Sequence, residues 1–426
     1  MKNVIEALRA RGLVEAETNP ALSEIVEKNK PISLYCGFDP TADSLHLGHM
    51  MGIMGLAWFL KFGHRPVALV GGATGIIGDP SGKSQERNLL NQEEIRKNVT
   101  GIQKILESIL GRLGKQGPIT VLNNNDWLYP MSCVDFLRDV GRHFRLGPML
   151  GRDNVRARLA TEEGMSYTEF SYMLLQAYDF YHLFTNNNVT LQIGGADQWG
   201  NITAGVDFVR RLTGKEVWGL TFPLLLRSDG KKFGKSEKGA IWLSEDKLSC
   251  YDFYQYLFRT SDDDVIRLMK ALTFLDLEEI SAIEASMKRQ DYVPNTAQKR
   301  LAEEVTRLVH GEEGLKKALL ITAQAKPGTE EAVFTGEVVR ALIGQVPSKG
   351  LPRGEVVGAK IVDILSFASF MPSKAETRRL IKNGGLSLGA RKIVDEFDVV
   401  KESDLIDQKF LVFSMGKKNR SIVEVV

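Results

Sequence analysis

The sequence predicts an α/β fold: a doubly wound parallel sheet, followed by a stretch of helices. Short apolar runs recur through the first half, at residues 34–36, 66–70, 119–122, 191–193 and 220–226, and each gives way to a polar or glycine-rich turn. Longer segments with helical spacing of apolar residues lie between them, as at 48–62 and 169–180. Strands alternating with helices build a parallel sheet whose ligand crevice lies beyond the strands' carboxyl ends. From 247 to about 325 the pattern is helical, with Tyr251, Tyr254, Phe258, Leu301, Val305 and Leu308 at core-like intervals.

Composition narrows the function classes. A chain of 426 residues has room for about three domains, and its 43% hydrophobic and 25% charged residues are ordinary for a globular protein. The net charge of +2 leaves nucleic-acid binding open, because contacts to a polyanion can be local. Cys36, Cys133 and Cys250 are far apart and form no C-x-x-C pair, which argues against a disulfide framework or structural zinc and fits a reducing cytosol. Residues 1–13 read as an amphipathic helix without a signal peptide's apolar core. No apolar run approaches the roughly 18 residues of a membrane span. The expectation is a cytoplasmic protein with no membrane association.

Taken in order, the first strand breaks at Gly37 and Pro40 and a helix starts near Gly48, so His46 and His49 sit at the handover. A helix start presents free N–H groups and positive dipole, which suits a phosphate, and imidazoles there can donate to phosphoryl oxygens. Alone, the pair would serve equally well as helix caps; without metal-spaced partners it is a poor zinc site. Gly52 is a weak helix former inside the following helix. The second strand runs into Gly71-Gly72-Ala73-Thr74-Gly75-Ile76-Ile77-Gly78-Asp79-Pro80-Ser81-Gly82-Lys83-Ser84. This ends like a P-loop, but Ile77 stands where a P-loop needs glycine. Asp79 is either a cap or a ligand contact, and Lys83 and Arg87, four apart, reach a polyphosphate or solvent.

The third strand is followed by Asn123-Asn124-Asn125-Asp126-Trp127. In the helix at 169–180, Tyr172, Gln176 and Asp179 fall at i, i+4 and i+7, hence on one face. A phenol, an amide and a carboxylate among apolar neighbours look like a pocket wall with few, placed polar groups. The strand at 191–193 ends in Gly194-Gly195, with Asp197 and Gln198 just beyond. The loop at 227–236 sets lysines between glycines, either as a solvated loop or as mobile cations for phosphates.

Pro40-Thr41-Ala42-Asp43-Ser44-Leu45-His46-Leu47-Gly48-His49 closely resembles the HIGH signature of class I aminoacyl-tRNA synthetases. Lys232-Phe233-Gly234-Lys235-Ser236 resembles the second signature, KMSKS, in its KFGKS form. The Leu34-Tyr35-Cys36-Gly37-Phe38-Asp39 stretch and the Tyr172 helix are similar to the tyrosyl branch. The resemblance runs over nearly the whole chain. It implies ATP-dependent activation of L-tyrosine and transfer of the tyrosyl group to tRNA(Tyr). Tyr35 and Asp179 would bind the substrate's phenolic hydroxyl; Tyr172 and Gln176, assisted by Asp79, its α-amino group. Gly37, Asp39, Gly48, Gly195, Asp197, Gln198 and Lys235 would hold ATP and the adenylate. Thr41, His46, His49, Lys83, Arg87, Lys232, Lys235 and Ser236 would stabilise the phosphates, with Mg²⁺ accompanying ATP and no structural metal. A tryptophanyl relative and a catalytically silent RNA-binding protein on the same fold are the alternatives; Tyr35 with Asp179 argues for a phenol over an indole.

The same resemblance implies a homodimer and a nucleotide-binding catalytic domain over 1–246, with a dimer-forming insertion at about 124–190. An α-helical anticodon-side domain over 247–325 would follow, then a linker over 326–357. Residues 358–426 carry 12 Lys/Arg against 9 Asp/Glu. Their helix bears Arg378, Arg379 and Lys382, with Ser373 to cap it and Gly384-Gly385 to end it. It resembles the alpha-L RNA-binding module, which implies a small α+β domain. Arg210 and Arg211 would be acceptor-stem contacts.

Overall fold

The computed structural model describes residues 2–81, 91–113, 119–236, 239–325, 334–343, 346–416 and 419–426. The chain forms two compact units, one of residues 1–248 with 256–311 and the other of residues 249–255 with 312–426.

The first unit is built on six strands: β1 (Ala16–Glu17), β2 (Ser33–Phe38), β3 (Arg65–Val70), β4 (Thr120–Asn123), β5 (Val189–Gly195) and β6 (Trp218–Phe222). Their order is β1-β6-β5-β2-β3-β4. Strands β2 to β6 run parallel, as the sequence predicts; the two-residue β1 is antiparallel to β6 and had no apolar run to announce it. The chain builds outward from β2 to β4, then returns to lay β5 on the other side of β2. The switch point therefore lies between β2 and β5, where an open parallel sheet leaves its crevice.

Helix Met50–Lys61 follows β2 and is buried on almost every face, including Ile53, Met54, Leu56, Phe59 and Leu60. A helix apolar all round belongs inside a layered core. Gly52 has a packing reason: a Cβ there would lie 2.9 Å from Cys36 Sγ and 3.4 Å from the Phe38 ring. The close approach of this helix to β2 offsets the glycine's poor helix propensity. Helix Tyr167–Asn187 starts at Ser166, whose Oγ accepts from the Glu169 N–H at 3.2 Å, and stops at left-handed Asn188. It presents Phe180 and Leu183 to a core with Tyr35, Val67, Leu69, Val189 and Val209.

Beyond residue 248 lie helices Cys250–Phe258, Asp262–Leu272, Leu277–Met287 and Thr296–Ala325. Gly311, at φ 75°, breaks the last of these into two halves.

The C-terminal unit holds a five-stranded sheet in the order Arg391–Lys392, Leu386–Leu388, Phe410–Met415, Asn419–Val425, Ser348–Leu351. Helices Ile361–Phe367 and Lys374–Lys382 complete its α+β layer, and Ser373 caps the second helix by accepting from the Glu376 N–H at 3.2 Å. The stretch 326–357 differs from its expected linker character. Its described part contains helix Gly336–Leu342, and Ser348–Leu351 pairs in parallel with Asn419–Val425. The reason is burial: Val338, Val339 and Leu342 pack with Phe410, Val412 and Ile422, which glycines and prolines alone did not reveal. Among the described residues, no helix is long and apolar enough to cross a membrane.

One buried ion pair braces the segment that leads into helix Tyr167–Asn187. Arg158 donates to both carboxylate oxygens of Glu169, at 2.7 and 3.2 Å, and to Gly164 O; the two side chains are 5% and 2% exposed. Removing one partner strands a charge in the interior. Glu169→Ala should cost about 3–5 kcal/mol in urea unfolding, whereas Arg158→Met with Glu169→Leu together should recover most of it. A loss well below 1 kcal/mol in the single variant would show that the pair is not the brace.

Candidate active site

A cavity of about 670 Å³ opens at the carboxyl ends of β2 and β5. Tyr35, only 1% exposed, lies on its wall with the ring edge against Phe180 at 5.4 Å. Its hydroxyl has no hydrogen-bond partner among the described residues. Burial pushes this phenol well above its ordinary range, and the nearby Asp179 charge adds to the shift. Asp179, 2% exposed, accepts from Asn124 Nδ2 at 3.0 Å and Trp127 Nε1 at 2.8 Å. Burial raises its carboxyl to about 7 against the pull of those two donors, with the Asp39 charge assisting the rise.

The polar wall is one continuous relay. Asn124 Nδ2 also donates to Thr74 Oγ1 at 2.9 Å, and Thr74 Oγ1 donates to Asp39 Oδ1 at 2.8 Å. Tyr172 closes the chain by donating to Asp39 Oδ2 at 2.8 Å. The Ala73 N–H bonds Asn124 Oδ1 at 2.8 Å, which fixes the orientation of that amide. A second cluster lines the same cavity. Gln176 Nε2 donates to Gln198 Oε1 at 3.2 Å, and Gln198 Nε2 donates to Asp79 Oδ2 at 2.6 Å. Asp79 Oδ1 also accepts from the Ser81 N–H at 2.9 Å. Gln176 Oε1 and Gln192 Oε1 are buried without partners among the described residues. Three orphaned polar atoms on one wall match a ligand with several polar groups of its own, because unsatisfied groups in an interior are otherwise costly.

At the other end of the cavity, the 3₁₀ turn Leu47–His49 leads into helix Met50–Lys61. His46 Nδ1 accepts from the Gly48 N–H, and His49 Nδ1 accepts from the His46 N–H, both at 3.1 Å. An imidazole that accepts at Nδ1 carries its proton on Nε2. The backbone thus sets both tautomers, with the ring centroids 4.0 Å apart. The second signature folds onto the first. Leu47 N–H donates to Ile241 O at 2.8 Å and Leu243 N–H to Leu45 O at 2.9 Å, and Gly234, at φ 90°, stands so close that a Cβ would lie 2.9 Å from the Gly48 nitrogen. The turn at 40–43 is held by Asn98 Nδ2 donating to Pro40 O at 3.0 Å and by Asp43, paired with Lys247 at 2.5 Å.

Tyr35, Gly37, Asp39, Thr41, His46, Gly48, His49, Asp79, Tyr172, Gln176, Asp179, Gly195, Asp197, Gln198 and Lys232 all line this cavity. Lys235 and Ser236 form a two-residue strand paired with Gly239–Ala240. Lys83 and Arg87 lie outside the described residues. Arg210 and Arg211 are not in the cavity lining: Arg210 donates to Asp207 at 2.8 Å and Arg211 to His143 O at 2.8 Å. In the C-terminal unit Arg378 pairs with Glu396 at 2.6 Å, and Arg379 and Lys382 are exposed. Among the described residues no three His, Cys, Asp or Glu side chains group as a metal site.

The residue-level reading missed Thr74, Asn124 and Gln192, all of which line the cavity. Two had a signal. Gln192 is a lone amide within a buried strand, and Asn124 belongs to an asparagine run at a strand's carboxyl end.

The family model for tRNA synthetases class I (W and Y) matches residues 27–325, and that for the Tyrosine--tRNA ligase SYY-like C-terminal domain matches residues 339–423. A tyrosine–tRNA ligase of Protochlamydia amoebophila is 52% identical over 426 residues, covering 100% of each chain. The chloroplastic/mitochondrial tyrosine–tRNA ligase of Arabidopsis thaliana is 50% identical over 99% of this chain and 84% of its own. Among solved structures, a C-terminally truncated mitochondrial tyrosyl-tRNA synthetase of Aspergillus nidulans superposes with a TM-score of 0.69 at 34% identity, covering 76% of this chain and 94% of that one. With these likenesses over its whole length, the chain belongs to the tyrosyl-tRNA synthetases of class I.

Proposed function

We propose that the protein activates L-tyrosine with ATP and transfers the tyrosyl group to the terminal adenosine of tRNA(Tyr). The observation that carries this reading is the orphaned Tyr35 hydroxyl beside the buried Asp179 carboxylate. Together they offer one donor and one acceptor, the complement of a phenolic hydroxyl. A phenyl ring would leave the buried Tyr35 hydroxyl without a partner, and an indole, which donates but cannot accept, would do the same. The unpartnered Gln176 Oε1 and the Asp79 carboxylate suit the substrate's ammonium group.

The substrate carboxylate would attack the α-phosphorus of ATP in line. A carboxylate O–P bond forms as the bond to the bridging oxygen breaks, and pyrophosphate leaves with the charge. The residues then do two things: hold the reactants, and donate to the phosphoryl oxygens where charge grows. His46 and His49 do so through Nε2–H, Lys232 through its ammonium, with Thr41 at the same wall. Lys235, Ser236, Lys83 and Arg87 are assigned to the phosphates by resemblance. Asp197 and Gln198, at the start of helix Trp199–Thr213, suit the nucleoside. Mg²⁺ would arrive on the triphosphate, because this metal is commonly held by substrate phosphates. In the second step a ribose hydroxyl of the tRNA attacks the adenylate carbonyl and AMP leaves.

A homodimer is supported by bare apolar side chains within the proposed 124–190 insertion, where Val134, Leu146 and Tyr167 are 72%, 65% and 71% exposed. Three free cysteines support a reducing, cytoplasmic setting. The basic helix Lys374–Lys382 supports a tRNA-reading role for the C-terminal unit.

Exchange of labelled pyrophosphate into ATP, run without tRNA, should proceed with tyrosine and fail with phenylalanine and tryptophan; exchange driven by tryptophan would overturn the substrate assignment. Tyr35→Phe should lower kcat/KM for tyrosine about tenfold, the worth of one buried hydrogen bond, without improving turnover of tryptophan. His49→Ala should lower kcat of activation by about 10²-fold while tyrosine affinity, measured by equilibrium dialysis, stays near wild type. The raised Asp179 carboxyl gives a pH test. Below about 7 it takes up a proton and ceases to be a charged acceptor, so kcat/KM for tyrosine should fall as pH drops from 8 to 5.5, and Asp179→Asn should flatten that limb. A wild-type profile flat through that window would remove Asp179 from the hydroxyl site.

A further inference from the structure

Among the described residues, the two phenylalanines most open to solvent are Phe367, 61% exposed, and Phe397, 63% exposed, and both belong to the C-terminal unit. Each carries a cation on its ring. Lys349 Nζ lies 5.9 Å from the Phe367 centroid, and Lys360 Nζ lies 5.1 Å from that of Phe397. Lys360 is the N-cap of helix Ile361–Phe367, and Phe367 is its last residue. Seven positions apart, they stand about 10 Å apart along its axis. The two ring–lysine pairs therefore stand at the two ends of one short helix.

The charges around them are unevenly committed. Asp363 is paired with Lys374 at 2.8 Å, with Lys360 adding to the field on its carboxylate, and Glu396 is paired with Arg378 at 2.6 Å. Among the described residues, neither Lys349 nor Lys360 forms an ion pair. The surface thus offers two solvent-exposed aromatic rings, each carrying an ammonium that forms no ion pair among the described residues. Its complement alternates flat apolar faces with negative charge, which describes unpaired nucleotides of RNA. A duplex keeps its base faces stacked inward, and an acidic peptide would satisfy the lysines while leaving the rings bare.

We propose that Phe367 and Phe397 are stacking platforms for unpaired bases of the bound RNA, with Lys349 and Lys360 on the flanking phosphates. This rests on the reading of the C-terminal unit as tRNA-binding and adds the mode of contact. The test is binding of full-length protein to a tRNA(Tyr) transcript across a salt series. Phe367→Ala and Phe397→Ala should each weaken binding about tenfold and leave the slope of log K against log salt unchanged, while Phe367→Tyr and Phe397→Tyr should bind like wild type. Lys360→Gln, and separately Arg379→Gln with Lys382→Gln, should make the slope shallower by about one for each phosphate no longer neutralised. If the alanine variants bind normally while the arginine and lysine variants lose slope, stacking is overturned and RNA binding by this unit stands. Alanine variants that lose slope together with affinity, or tyrosine variants that fail to bind, would also overturn stacking. Wild-type behaviour in every variant would remove both readings.

Discussion

A carboxylate held almost out of water, Asp179, is the constraint from which the polar wall of the cavity follows. Burial drives its carboxyl up to about 7, and only donors aimed at its oxygens keep the charged form accessible. Asn124 and Trp127 supply them, and Asn124 can do so because Thr74 and the Ala73 N–H occupy its remaining positions. Thr74 in turn fixes Asp39, which fixes Tyr172. Residues from three strand ends and one helix are thereby locked in a single hydrogen-bonded arrangement. Unsatisfied polar groups in an interior are expensive, and the unpartnered atoms of Tyr35, Gln176 and Gln192 line the same cavity as this arrangement, where a ligand would satisfy them.

The end of the cavity that carries His46 and His49 obeys a different logic. It depends on backbone geometry at least as much as on side-chain identity. Two amide N–H groups set the tautomers of His46 and His49, and the strand-like bonds at Leu45, Leu47, Ile241 and Leu243 keep the second signature beside the first. Gly234 permits that approach, since any side chain there would strike the Gly48 nitrogen. The glycine in the KFGKS form is thus a spacing element between two signatures distant in the chain. Preorganised donors of this kind stabilise developing charge without rearranging at the moment of reaction.

Much of both levels was legible in the chain. The five parallel strands announced themselves as apolar runs, because a strand buried on both faces has no polar side to show. Tyr172, Gln176 and Asp179 were legible because helical periodicity puts i, i+4 and i+7 on one face. The edge strand β1 was not, since two residues paired at a sheet edge need no apolar pattern. Helix Gly336–Leu342 was hidden by the glycines and prolines around it, because its burial partners Phe410, Val412 and Ile422 come from the chain's far end.

What the sequence by itself determined is the class of fold and the chemistry at hand: local patterns encode strand, helix and turn, and the two signatures carry their residue types in order. Only the tertiary structure decided which polar groups are satisfied and which are left open. Thr74, Asn124 and Gln192 are ordinary residues until the return of β5 to the side of β2 brings them to one wall. Burial and hydrogen-bond partnership are properties of the assembled layers, made by segments far apart in the chain, and no local window contains them.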